Sequence, residues 1–131
     1  MGDIIKVRVR YSEVDNMGFV YYARYLEYFE MARTEYIRKR GKSYREIEKD
    51  GFLLPVTEVW VKYRKAAAYD DLLTIETEVT WIKKASMEFH YYVRNNGGDI
   101  LSEGMTKHAL LDEEGKISSF PEDIRQKLLT T

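Results

Sequence analysis

The residues best placed to do chemistry are one carboxylate and the backbone around it. Asp15 opens the turn-forming run Asp15-Asn16-Met17-Gly18, and behind it Tyr22, Tyr25, Leu26, Phe29, Ala32, Tyr36 and Ile37 recur at steps of three and four. That spacing predicts one long helix with a single apolar face, widened by Tyr21 and Tyr28. A helix apolar over so much of its surface needs a large cover, such as a sheet wrapped round it. A carboxylate just ahead of its first turn would lie beside free backbone N–H groups and the positive end of the helix dipole. The mouth of this helix is therefore the candidate active site. The plain alternative for Asp15 is a helix cap or an Asx-turn residue.

The elements that must position this mouth can be followed along the chain. Residues 3–10 alternate Ile5, Val7 and Val9 against Lys6, Arg8 and Arg10, a half-buried strand. Gly41 ends the long helix, with Arg38, Lys39 and Arg40 in its last turn, where cations suit the dipole. Ser43-Tyr44-Arg45-Glu46 matches a capping box and predicts a short second helix, closed by Gly51. From Leu53 the period becomes two. Val59, Val61 and Tyr63 alternate with Trp60, Lys62 and Arg64; Leu73, Ile75, Val79 and Trp81 follow, then Met87, Phe89, Tyr91 and Val93. Asn95-Asn96-Gly97-Gly98 is a turn joining antiparallel strands, and a last strand runs from about Ile100 to Leu111. Residues 121–129 predict a C-terminal helix with Pro121 in its first turn. The expected fold is α+β: one strand, the long helix, then a four-stranded antiparallel meander, all in a single domain 1–131. A helix on one face leaves Trp60, Trp81 and the sheet edges to be covered, which argues for a homo-oligomer.

Composition narrows the function classes. At 131 residues the chain is long enough for one domain with a real core. Its formal net charge of −1 gives no overall field for nucleic acid. The absence of cysteine excludes disulfides, thiolate nucleophiles and Cys-ligated metal sites. The first residues, MGDIIKVRVR, lack the apolar core of a signal peptide, and no apolar run approaches the roughly 20 residues needed to cross a bilayer. A cytoplasmic protein without a membrane span is expected.

Residues 8–30, RVRYSEVDNMGFVYYARYLEYFE, resemble the signature of the hot-dog-fold acyl-CoA thioesterases, in the 4-hydroxybenzoyl-CoA thioesterase branch. The resemblance rests on Arg8-Val9, Asp15, Gly18, Val20, Tyr22, Tyr25 and Glu30-x-Ala32-Arg33-x-Glu35. It continues through Val61-Lys62-Tyr63, Asp70-Asp71-Leu72-Leu73, Lys83-Lys84-Ala85-Ser86 and Gly104-Met105-Thr106-Lys107-His108, nearly the whole chain. It implies an antiparallel sheet wrapped around one central helix, and a dimer, often doubled to a tetramer, with the active site at the subunit interface. It also implies an acyl-CoA substrate and neither metal nor organic cofactor. Two positions depart from the pattern: Val14 stands where many members have Thr, and Tyr22 where many have His.

Thioester hydrolysis needs an oxygen nucleophile and a stabilised oxyanion. Asp15 supplies the first in this reading, as general base on water or by direct attack to give a mixed anhydride. Backbone N–H groups of Gly18 and Tyr22 are the expected oxyanion and substrate-positioning donors; the alternative for Tyr22 is core packing. Lys62, Arg64, Lys83, Lys84 and Ser86 are the candidates for binding coenzyme A, with Lys65 beside them. Their alternative is a solvated surface. Glu30 and Glu35 read as a salt-bridged helix face with Arg33, Arg38 and Lys39. His90 and His108 lack partners at metal spacing, so no metal site is expected. Two rival functions stand beside hydrolysis: a non-catalytic acyl-thioester binding protein, and a hydratase or dehydratase. The second would need a His near Asp15 for proton transfer to carbon.

Overall fold

The computed structural model describes residues 2–41, 44–49 and 51–129. Ser43, the expected cap of the second helix, lies outside them. The elements in order are β1 (Asp3–Arg8), a 3-10 turn (Tyr11–Glu13), α1 (Arg24–Lys39), α2 (Tyr44–Lys49), β2 (Phe52–Leu53), β3 (Val56–Tyr63), β4 (Leu72–Ile82), β5 (Ser86–Arg94), β6 (Ile100–Ala109), β7 (Leu111–Asp112) and α3 (Glu122–Leu129).

The long helix forms where its period predicts, and it buries Tyr25, Tyr28, Phe29, Ala32, Tyr36 and Ile37. Gly41 terminates it at φ +86°, a backbone conformation that favours glycine. Its start differs from expectation. Tyr22 lies in the turn before the helix, Ala23 is the N-cap, and Tyr21, Tyr22 and Leu26 are exposed. The reason is a competing long-range pairing. Val20 donates its N–H to the Ala67 carbonyl (2.8 Å), Phe19 bridges to Ala68, and Val20 pairs back with Val14. These residues are held extended by sheet-like partners, so the helix begins only at Arg24.

The five-stranded sheet is antiparallel in the order β1-β4-β5-β6-β3. The expected meander holds for β4, β5 and β6, but β3 pairs with β6 at the far edge and β4 pairs with β1. The segment between β3 and β4 crosses from one side of the sheet to the other. It is tied down by the Ala67–Ala68 contacts and by two bonds to Val9, from Asp70 N–H to its carbonyl (3.0 Å) and from its N–H to the Asp71 carbonyl (2.9 Å). Leu53 leaves the expected strand and, with Phe52, forms a two-stranded ladder with β7.

Helix α1 packs on the inner face of this sheet. Phe29 stacks on Tyr91 at 4.3 Å between ring centroids, and Tyr36 meets Phe89 edge-on at 5.6 Å. The Phe29 ring fits because β6 has Gly104 beneath it. A Cβ there would stand 2.5 Å from the ring. Helix α3 is anchored through the Tyr36 hydroxyl, which donates to the Leu128 carbonyl at 2.7 Å. Strand β3 is exposed along almost its whole length. Arg64 N–H bonds the Leu101 carbonyl of the β6 side (2.8 Å), so Val59, Val61 and Tyr63 turn their backbone groups to the free edge.

Candidate active site

Asp15 sits in a small hairpin of its own rather than on the helix. Its N–H donates to the Phe19 carbonyl (2.8 Å), Gly18 N–H donates to the Asp15 carbonyl (2.9 Å), and Gly18 closes the turn at φ +83°. One carboxylate oxygen, Oδ1, accepts the N–H groups of Met17 (2.9 Å) and Phe19 (3.3 Å). Among the described residues Oδ2 receives no hydrogen bond. The half-buried carboxylate is thus an Asx-turn residue through one oxygen and a candidate base or nucleophile through the other.

Asp15 lines a cleft of about 320 Å³ together with Phe19, Tyr22, Tyr25, Tyr63, Arg64 and Lys65. The tyrosines form one packed edge: Tyr25 lies 5.2 Å and Tyr22 6.5 Å from the Tyr63 ring, each near perpendicular. The Tyr63 hydroxyl donates to the Tyr22 carbonyl at 2.8 Å. Burial pushes the Tyr25 phenol up to about 12, against the opposing pull of a hydrogen bond from Ala67. Of the two expected oxyanion donors, Gly18 N–H is engaged within the turn, whereas Tyr22 N–H has no acceptor among the described residues. Tyr22 is 62% exposed, so core packing does not account for it.

A second carboxylate, Glu13, is not singled out by the sequence pattern. This carboxylate is 2% exposed and two positions before Asp15. Its Oε1 accepts the Arg10 N–H at 2.8 Å and the Tyr28 hydroxyl at 3.2 Å, and its carbonyl accepts the Tyr21 N–H at 2.9 Å. A pointer was present in the sequence: Tyr28 falls on the most buried line of the helix, where its hydroxyl requires a partner.

The basic candidates separate into three places. Arg64 and Lys65 join Asp15 and Tyr22 at the cleft. Lys62 alternates onto the opposite face of the sheet from Val61 and Tyr63. Lys83 and Lys84 lie in the β4–β5 turn and Ser86 opens β5; Lys83 N–H bonds the Ser86 carbonyl (2.8 Å) and the Lys83 ammonium lies 4.6 Å over the Trp81 ring. That turn and the cleft lie at opposite ends of the nine-residue strand β5, roughly 25 Å apart at ~3.3 Å per residue. The chain does not bring its own Lys83, Lys84 and Ser86 to its own Asp15.

A second cavity, of about 640 Å³, opens at the Lys83 end of the strands, between α1, α2 and the segment Phe52–Pro55, with Glu30 and Arg33 on its helix side. Beneath it His108 is 1% exposed, with Nε2 2.9 Å from the Thr106 hydroxyl and Nδ1 3.1 Å from the Leu54 carbonyl. His90 lies on the outer sheet face, 3.8 Å from Glu103. Neither histidine lines the Asp15 cleft. Among the described residues no group of three His, Asp or Glu gathers as a metal site would require, and no helix is long and apolar enough to cross a membrane. On α1, Glu35 pairs with Arg38 as expected of a solvated face.

Residues 9–128, from the end of β1 to α3, match the profile of the Thioesterase-like superfamily. The chain belongs to that superfamily. It is 38% identical over 122 residues to the acyl-CoA thioesterase YbgC of Haemophilus influenzae, covering 91% of this chain and 88% of that protein. It is 34% identical over 97 residues to the acyl-CoA thioester hydrolase YbgC of Escherichia coli O157:H7, covering 74% and 72%. Among solved structures, the DHNA-CoA thioesterase of Staphylococcus aureus superposes with a TM-score of 0.90 at 30% identity, over 95% of this chain and 86% of that one. The sheet wrapped on one long helix is thus the hot-dog fold of this thioesterase superfamily, as the signature in residues 8–30 implied.

Proposed function

We propose that this protein hydrolyses acyl-CoA thioesters to the free acid and coenzyme A, with Asp15 as the catalytic carboxylate. The observation that carries the reading is the divided use of that carboxylate. Met17 and Phe19 lock one oxygen, and the other is left for chemistry in a cleft shared with Tyr22 and Arg64. A thioester carbonyl seated with its oxygen at Tyr22 N–H is polarised there, next to the start of α1. Asp15 then takes a proton from an attacking water, or attacks the carbonyl carbon to give a mixed anhydride that water opens. In both routes the C–S bond breaks and coenzyme A leaves as the thiolate. The assignment of acyl-CoA thioesterase activity draws on the named relatives as well as on this geometry.

The site is completed, in this reading, by a second copy paired antiparallel along β3. The free edge of β3 supports it, as does its charge pattern. With Trp60 opposite its own mate, each Glu58 faces a Lys62 of the other copy. An antiparallel mate also carries its Lys83-Lys84-Ser86 turn and its Leu54–Pro55 cavity toward the first copy's Asp15 cleft, at the end from which the chain's own are missing. The β3 pair is the dimer, and a tetramer doubles it. The cytoplasm is the expected location.

Thiol release from short, long and aromatic acyl-CoAs tests the function. Turnover on one class supports hydrolysis and names the acyl group. Tight binding with no turnover on any class would favour the non-catalytic binding protein, and Tyr22→His would then be the next change to make.

A further inference from the structure

Glu13 is a carboxylate the proposed chemistry does not use, yet it is almost wholly removed from solvent. Burying an ionised side chain is costly unless hydrogen bonds replace its water. Here two hydrogen bonds do so, from Arg10 N–H at 2.8 Å and the Tyr28 hydroxyl at 3.2 Å on Oε1, and the Arg10 guanidinium lies 3.6 Å from Oε2 as an ion pair. Tyr28 is itself fully buried on α1, and burial, then the charge of Glu13, raises its phenol well above the usual value. An apolar side chain would fill the same place without the desolvation penalty, so packing alone does not explain the pair.

The backbone around Glu13 shows what the pair holds. The Asp15 turn is the tip of a hairpin whose sides are the Val14–Val20 bridge and whose base is the bond from Tyr21 N–H to the Glu13 carbonyl. Glu13 therefore carries the Asp15 side of the hairpin, while Tyr21 leads directly to Tyr22 and the helix start. The Tyr28 ring meets Tyr25 edge-on at 5.8 Å, and Tyr25 lines the cleft. We infer that Glu13 is a positioning residue anchored by Tyr28: the buried bond between them fixes the height of the Asp15 hairpin on α1, and with it the separation of the Asp15 carboxylate from the Tyr22 N–H. The inference rests on the reading of Asp15 as the catalytic carboxylate.

The test uses the full chain and the acyl-CoA that the wild type cleaves fastest, with Asp15→Asn as control. Tyr28→Phe removes one hydroxyl and keeps the ring, so the fold survives. Glu13→Ala removes the anchor, whereas Glu13→Gln keeps an oxygen able to accept both the Arg10 and the Tyr28 donors. Tyr28→Phe and Glu13→Ala are expected to lower kcat by about tenfold or more per folded molecule with KM changed less than about twofold, and Glu13→Gln to restore kcat to within about threefold of wild type. If Tyr28→Phe keeps wild-type kcat, or if activity falls only as the folded fraction falls, the pair is structural and the inference is overturned. If Asp15→Asn itself keeps turnover, the reading beneath it fails instead.

Discussion

Acid titration of stability offers a sharp probe of the core under α1. Burial holds the His108 imidazole down to about 4 from its usual 6.5, with the charge of Arg33 adding to the shift and the hydrogen bond to the Leu54 carbonyl opposing it. Above the unfolded value the ring is neutral in both states and contributes no pH dependence. Below it the unfolded chain binds a proton that the folded chain refuses, so stability is lost as pH falls from about 6.5 toward 4. At 1.36 kcal/mol per pH unit this amounts to about 2 kcal/mol between pH 7 and pH 5, and ~3 kcal/mol over the whole window. Urea unfolding of wild type and His108→Gln at matched concentration across this range isolates the histidine, because the carboxylates are common to both. The wild type is predicted to lose about 2 kcal/mol more than the variant between pH 7 and pH 5. Parallel losses in the two proteins would refute a buried neutral imidazole at this position.

Three further outcomes follow from the same geometry. Gly104→Ala drives a methyl into the Phe29 ring, 2.5 Å away, and should destabilise the fold by about 1–3 kcal/mol in chemical denaturation; an unchanged midpoint would mean the ring has room to move. Because the chain has no cysteine, Trp60→Cys supplies a lone thiol at the proposed two-fold of the β3 pair. There a non-hydrogen-bonded cross-strand pair has a Cα separation of about 4.5 Å, within disulfide range, so mild oxidation should give a covalent dimer. Failure to cross-link at Trp60 would reject that register. Mixing Asp15→Asn with Lys83→Ala/Lys84→Ala and allowing subunits to exchange should raise activity, at substrate well below KM, above the sum of the two variants measured apart, since half the mixed dimer's sites regain both parts. No recovery after exchange would argue against a site shared between copies.

Much of this architecture was legible in the order of residues. The three-and-four spacing from Tyr25 to Ile37 reports which side of α1 is covered, and the alternation through β4 and β5 reports the sheet. The start of α1 was not legible, because what holds Phe19 and Val20 extended is the distant pair Ala67–Ala68. Local propensity carries no trace of that contact. For the same reason the position of Lys83 and Lys84 relative to Asp15 was hidden: it depends on β1 pairing antiparallel with β4, Arg8 opposite Leu72, which leaves Asp15 at the end of β4 away from Lys83. Glu13 escaped notice because a glutamate in a polar stretch reads as solvated, and only its burial against Tyr28 distinguishes it.

Single-turnover thiol release by Asp15→Asn beside wild type decides whether this carboxylate carries the reaction. Asparagine keeps the oxygen that accepts the Met17 and Phe19 N–H groups, so the hairpin persists while the carboxylate is gone. An intact fold is expected, with acyl-CoA binding within about twofold of wild type and a rate lower by about a hundredfold or more. A folded Asp15→Asn protein that releases thiol at the wild-type rate would contradict this role of Asp15.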